Sequence, residues 1–202
     1  MSVVYMFNKP SGCITACSDA RHKTVMDYFP ESDRETLFPV GRLDKDTEGF
    51  LVITDDGALS FDLMKPEHHV KKTYFFWAQG VLNEDKLKEF EKGVSIYKDK
   101  DIVTAPATIE ILSVATLGSI KELLNGEDEK LGTRRALLPV TSGVITITEG
   151  KKHQVKRMIR YAGARVVYLK RIAIGNLHLD PTLPLGAYRA LNEEEIKIIK
   201  TR

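Results

Sequence analysis

Nine residues early in the chain, GRLDKDTEG from Gly41 to Gly49, constrain its fold more than any other stretch. They follow LFPV, where Pro39 and then Gly41 interrupt any helix, and they lead into FLVIT, which is β-branched and strand-like. An acid-rich turn therefore has to open into a strand. Counted from Asp44, the residues Asp44, Asp46, Glu48, Gly49 and Asp55 fall at positions 1, 3, 5, 6 and 12 of a calcium-binding loop. Such a loop needs a helix on each side, and these flanks read otherwise, so calcium is set aside. Two readings stay open at this point: a charged surface turn, or an aspartate held for chemistry.

A chain of 202 residues can bury a substantial core, as one large domain or two packed lobes. Its 43% hydrophobic and 29% charged composition is that of a globular protein, and no apolar run approaches the roughly 20 residues needed to span a bilayer. The amino terminus, MSVVYMFNKP, lacks the pattern of a secretion signal and reads as a first strand, so a cytoplasmic location and no membrane partner are expected. Cys13 and Cys17 have no second pair to complete a zinc site and read as free thiols. His68, His69, His153 and His178 stand without carboxylates or cysteines at ligand spacing, so no metal is expected.

Net charge is only +2, but its distribution is uneven. From Lys151 to Arg171 there are eight basic residues and no acid: Lys151, Lys152, Lys156, Arg157, Arg160, Arg165, Lys170 and Arg171. A solvated face is the ordinary reading of such a run, and a groove for a polyanion, nucleic acid first, is the functional one. Within it Val155, Met158, Ile159 and Ala162 keep the i, i+3, i+4, i+7 spacing of an amphipathic helix that stops at Gly163. Lys156 falls at the margin of the apolar stripe, while His153, Arg157 and Arg160 point away from it.

The rest of the chain reads as mixed α and β, without repeats. Strands are expected at Val3 to Phe7, Phe50 to Thr54, Thr73 to Ala78, Val144 to Thr148 and Val166 to Leu169. Helices are expected at Thr24 to Tyr28, Ala58 to Met64 and Asn83 to Lys92, and from Asn192, where Glu195 completes a capping box. Gly118 to Ser142 reads as an excursion from the sheet.

Several motifs now fall in order. NKPSG (Asn8 to Gly12), GRLDKDTEGFLVITDDG (Gly41 to Gly57), HHVKKTY (His68 to Tyr74), EGKKHQVKRM (Glu149 to Met158) and the closing IG with LHLDPTLPLGAYRAL (Ile174 to Leu191) together resemble the RsuA-type family of ribosomal RNA pseudouridine synthases, over nearly the whole length. The resemblance implies an α+β pseudouridine synthase fold: a long, largely antiparallel mixed sheet with flanking helices and a central active-site cleft, the whole chain forming one catalytic domain. The periodicity permits that fold without selecting it. The implied reaction isomerises uridine to pseudouridine, breaking the bond from N1 and remaking it to C5, with no cofactor.

By that resemblance Asp44 is the catalytic aspartate, which must be ionised to act as a nucleophile or an electrostatic stabiliser. Lys156 matches a cation beside it; at ~4 Å and an effective dielectric near 20 such a cation contributes roughly 4 kcal/mol. Tyr74 matches the aromatic residue that packs on the target uracil, and Phe75, Phe76 and Trp77 read as core. Ile174 matches an apolar pocket position. Arg42, two residues before the aspartate, would share its face if both lay on a strand, and is expected to help grip or flip the nucleotide. His153, Gln154, Arg157, Arg160 and Arg171 are the expected RNA contacts, offsetting the few kcal/mol of base extrusion.

Many members of this family carry a small RNA-binding domain ahead of the catalytic part. This chain lacks it and is either a naturally bare catalytic domain, the reading that Met1 favours, or a fragment; a monomer is expected. HHVKKTY and HQVKRM look closer to the small-subunit enzyme, so 16S rRNA, naked or in an assembly particle, is the expected substrate. The alternatives are a large-subunit 23S rRNA enzyme of the same family, a noncatalytic rRNA-binding assembly factor, and a glycoside-acting enzyme pairing Asp44 with Asp46 or Glu48.

Overall fold

The computed structural model describes residues 2–97, 102–124 and 133–201. Its strands are β1 (Val4–Lys9), β2 (Phe38–Val40), β3 (Glu48–Thr54), β4 (Lys72–Gly80), β5 (Thr108–Thr116), β6 (Pro139–Ile147), β7 (Ala164–Ile174), β8 (Leu177–His178) and β9 (Tyr188–Ala190). The helices are α1 (Gly57–Met64), α2 (Glu84–Lys88), α3 (Thr133–Ala136), α4 (Gln154–Tyr161) and α5 (Glu193–Ile199). This is an α+β chain whose pairing is mixed and mostly antiparallel, with β3 and β7 running parallel. The chain divides into two compact units, Met1–Lys72 with Lys170–Arg202, and Thr73–Leu169.

In the first unit the hydrogen-bonded order is β7, β3, β1, β9, with β2 added beside β3 and β8 beside β7. Every residue of β3 is buried, as the unbroken apolar run FLVIT requires. One core joins Val4, Met6, Val40, Phe50, Val52, Leu59, Leu63, Val70, Ile174, Leu177, Leu191 and Ile199. At roughly 1.5–3 kcal/mol for each large side chain, this cluster is the chief support of the loop that precedes β3. The parallel contact of β3 with β7 pairs Glu48 with Lys170 and Gly49 with Arg171. It depends on glycine: Gly49 has φ +99°, and a Cβ there would lie 2.2 Å from the Arg171 carbonyl oxygen. The expected capping box opens α5, where Asn192 accepts from the Glu195 amide at 2.9 Å and the Glu195 carboxylate accepts from the Asn192 amide at 3.0 Å.

The second unit has the order β5, β6, β4, β7. Gly143 of β6 leaves room for the buried Phe76 ring of β4, which a Cβ would approach to 2.6 Å. Leu117, Ile120, Leu124 and Val140 form a second core, with Trp77 and Val167 packed against it. Phe76 is thus core as expected, and Phe75 and Trp77 are partly buried.

Several expectations change. Asn83 to Lys92 is not one helix: α2 ends at Lys88, and Glu89–Lys92 tightens into a 3-10 turn before Gly93. Thr24 to Tyr28 is likewise a 3-10 turn, Val25–Tyr28, whose Asp27 carboxylate accepts from the Thr24 amide at 2.8 Å. The excursion ends earlier than Ser142, because Pro139–Ser142 already belong to β6 and pair with β5; its residues 125–132 lie outside the described residues. Strand β5 itself has no counterpart in the sequence reading.

Candidate active site

Asp44 lies between β2 and β3 in a loop that is anchored from within the first unit. Lys9, the last residue of β1, has no exposed surface, and its ammonium reaches into the loop. Nζ donates to the carbonyls of Pro10 at 3.0 Å, Asp44 at 3.1 Å, Lys45 at 3.3 Å and Thr47 at 2.9 Å. The Thr47 amide closes the turn onto the Asp44 carbonyl at 3.1 Å, and the Gly12 amide donates to the Lys45 carbonyl at 2.8 Å. Thr15 Oγ1 donates to the Leu43 carbonyl at 2.8 Å and accepts from the Leu43 amide at 3.1 Å. With its backbone held at Leu43, Asp44, Lys45 and Thr47, the loop presents a half-buried Asp44 side chain in a fixed position.

Burial pushes the Lys9 ammonium below its ordinary pKa, against the pull of the Cys13 thiol and of Asp46, Glu48 and Asp44. Lys9 is a supporting residue that the sequence reading passed over. The available signal was a lysine that follows the apolar run VVYMF by two residues and immediately precedes Pro10, inside the NKPSG motif. A neighbouring cation is also unusual: burial, and secondarily Arg171, push the Lys72 ammonium down to about 8.

Arg42 is exposed, but it does not share a strand face with Asp44. Strand β2 stops at Val40 and Gly41 turns the chain at φ +69°, so the alternation expected there does not extend to Asp44. Strand β3 occupies most of the second half of the Asp44–Asp55 segment, between β2 and α1. Ile174 is buried in the first unit's core. Arg171 is also buried, and its Nε donates to the Phe50 carbonyl at 2.7 Å. The expected phosphate contact thus belongs to a side chain that is buried at the β3 contact.

The other expected residues lie in the second unit. Tyr74 is buried on β4 at 8% exposure, next to Thr73, whose hydroxyl pairs with that of Thr146 on β6 at 3.0 Å. In α4, Val155, Met158, Ile159 and Ala162 are buried, as their spacing predicts, while Lys156 and Arg157 are half-buried and Arg160 is exposed. His153 is not on the helix. It occupies the position before α4 in the left-handed conformation, φ +54°. Gln154 is buried: its Nε2 donates to Glu149 Oε1 at 2.9 Å and its Oε1 accepts from the Lys151 amide at 2.9 Å. It shapes the turn into α4. Glu149 completes this turn by accepting from the Ala105 amide at 2.8 Å and pairing with Lys151. His153, Lys156, Arg157 and Arg160 line a common cavity with Arg165 and two tyrosines.

An aspartate on a rigid loop and a cationic, partly aromatic helix face are the equipment of an enzyme that acts on RNA. Comparison makes this specific. Residues 3–161 match the RNA pseudouridylate synthase family. The chain is 39% identical over 198 residues to an uncharacterized RNA pseudouridine synthase, YtzG, of Bacillus subtilis, covering 98% of this chain and 73% of the relative. It is 36% identical over 192 residues to ribosomal small subunit pseudouridine synthase A of Salmonella typhimurium, covering 95% and 71% respectively. A solved pseudouridylate synthase superposes with TM-score 0.80 at 32% identity, covering 98% of this chain and 74% of that one. The Cbf5 complex of an archaeal box H/ACA particle shares the fold at TM-score 0.57 and 17% identity, covering 91% and 51%. The chain belongs to the RNA pseudouridylate synthase family, and it is an isomerase acting on RNA.

Proposed function

We propose that this enzyme converts a specific uridine of ribosomal RNA to pseudouridine, that its target is in small-subunit 16S rRNA, and that Asp44, Tyr74 and Lys156 carry the reaction. The observation that carries the reading is the Asp44 loop. A carboxylate is placed by a backbone that a fully buried ammonium and four hydrogen-bonded carbonyls hold in one shape. Fixing the acid in advance spares the reorganisation that a mobile loop would need during the reaction.

In the overall reaction the bond from C1′ to N1 breaks and one from C1′ to C5 forms. The proton on C5 leaves and N1 gains one, so atoms and charge balance without a cofactor. Asp44 serves as the ionised group that captures or stabilises the electrophilic centre. Tyr74 packs on the uracil, and Lys156 favours the charged carboxylate. Arg42, His153, Arg157 and Arg160 contact the RNA, and the protein works as a cytoplasmic monomer on rRNA or an assembly particle. The 16S assignment rests on relatives named for the small subunit and on the likeness of the HHVKKTY and HQVKRM motifs.

The test is tritium release from C5-labelled uridine in unmodified small- and large-subunit rRNA, naked and in partly assembled particles, with Asp44→Asn alongside. Release from small-subunit RNA by the wild type alone is the expected result. Release only from large-subunit RNA would move the substrate to 23S rRNA. Release by the variant would remove Asp44 from the mechanism.

A further inference from the structure

Within the second unit, a cavity of about 960 Å³ is lined by Ser95, Ile96, Tyr97, His153, Lys156, Arg157, Arg160, Tyr161, Arg165 and Val166. The size is at the upper end of the range of roughly 300–1,000 Å³ typical of ligand sites, so it exceeds what a lone phosphate requires. Its lining combines two features. Lys156, Arg157, Arg160 and Arg165 are basic, and no carboxylate is among the described lining residues. Tyr97 and Tyr161 add aromatic surface between them.

These groups are in position before any ligand arrives. The Arg157 guanidinium lies over the Tyr97 ring, 4.4 Å from its centre, and its Nη1 donates to the Ile96 carbonyl at 3.4 Å. The Tyr97 hydroxyl donates to the Lys152 carbonyl at 3.4 Å, which fixes the ring from its far end. Tyr161 has the Lys86 ammonium 5.0 Å from its ring centre and donates its hydroxyl to Glu89. Cations alone would recognise any phosphate. A pinned guanidinium on a pinned aromatic ring additionally offers a flat π surface, which recognises an unstacked base irrespective of its sequence.

We infer that the Tyr97–Arg157 pair is a stacking shelf for the base of an unpaired nucleotide neighbouring the target uridine, with Arg160 and Arg165 on its phosphates. The placement next to the target rests on the reading of Lys156 as part of the catalytic set, since Lys156 lines the same cavity. The shelf holds the substrate strand single-stranded and so lowers KM without entering the chemical step.

The shelf is tested by a cycle in affinity that does not depend on turnover. A five-nucleotide single-stranded RNA is made abasic at each position in turn, and Kd is measured by fluorescence anisotropy for the wild type, Tyr97→Phe and Tyr97→Leu. In the wild type one abasic position should raise Kd roughly tenfold. Tyr97→Leu should raise Kd for the intact RNA by a similar factor and be indifferent to that abasic position, whereas Tyr97→Phe should behave as the wild type. Equal abasic penalties in the wild type and Tyr97→Leu, or no penalty at any position in the wild type, would overturn the shelf. The same comparison with Tyr97→Phe decides the matter if Tyr97→Leu fails to fold, because a ring that stacks must keep the wild-type abasic profile. Absence of tritium release from the wild type with the affinity cycle intact would instead overturn the catalytic reading and leave an RNA-binding shelf.

Discussion

The Asp44 loop and the α4 cavity handle charge in opposite ways. In the loop the key cation is buried and spent on backbone carbonyls, so that Lys9 fixes geometry and touches no solvent. Around α4 the cations Arg160 and Arg165 are exposed and Arg157 is half-buried, available to a polyanion. The contrast separates what a reaction needs from what a long substrate needs. An acid must sit within fractions of an ångström, whereas phosphates tolerate adjustable partners screened by salt.

Breaking the acid itself gives the largest effect. Asp44→Asn should lower turnover by roughly 10⁴-fold or more while leaving the melting temperature and RNA affinity nearly unchanged, as read by tritium release, thermal unfolding and anisotropy. A large fall in melting temperature would mean that the side chain holds the loop together. Next comes the buried support. Lys9→Met strands carbonyls of Asp44, Lys45 and Thr47 and should cost roughly 3 kcal/mol in urea unfolding, with turnover falling along with stability. A variant that is stable but inactive would sharpen the comparison, since it would show that Lys9 aims Asp44 more than it stabilises the fold.

On the cationic side, replacing Arg157 and Arg160 together by Ser should weaken RNA binding by about one to two orders of magnitude and lower the slope of log Kd against log salt by about 1, the share of Arg160. Unchanged slope would place Arg160 away from phosphate. The smallest effect concerns the other depressed lysine. The unfolded chain keeps the Lys72 proton up to its ordinary 10.5, while the folded protein releases it near 8. Between those values the unfolded state binds more protons, so stability should rise with pH from about 8 to 10.5, on the order of 1–2 kcal/mol. Lys72→Met should be flat over that window in urea titrations at successive pH values. A wild type that loses stability there would show that the donation to the Val70 carbonyl at 2.9 Å outweighs the relief of burial.

How much could be read without coordinates follows the same division. The α4 face was legible because Val155, Met158, Ile159 and Ala162 report one face by spacing alone, and the α5 start because Asn192 and Glu195 are local partners. The chain's motifs identified the family. Lys9 was not legible, since the carbonyls that justify its burial lie up to 38 positions away and belong to a loop without regular pattern. The burial of Arg171 and Gln154 was not legible, because a sequence carries no record of where a polar side chain finds its partners. Arg42 was misread for a related reason: a strand was extended past Gly41, where the backbone turns. Strand β5 escaped because most of its residues are exposed, leaving no one-sided alternation to detect.

The first unit is discontinuous: its early part ends at Lys72 and its remainder begins at Lys170. Ile174, Leu177, Leu191 and Ile199 complete the core beneath β3, and β9 pairs with β1 through Tyr5 and Ala190. During synthesis the intervening unit is therefore complete before the acid-bearing one can close. At roughly 5–20 residues per second, the wait is on the order of ten seconds, and throughout it β1 and β3 lack the part of their core that Ile174, Leu177, Leu191 and Ile199 supply. The Asp44 loop gains its full support only once the segment through Ile199 has been made and β9 has returned to pair with β1.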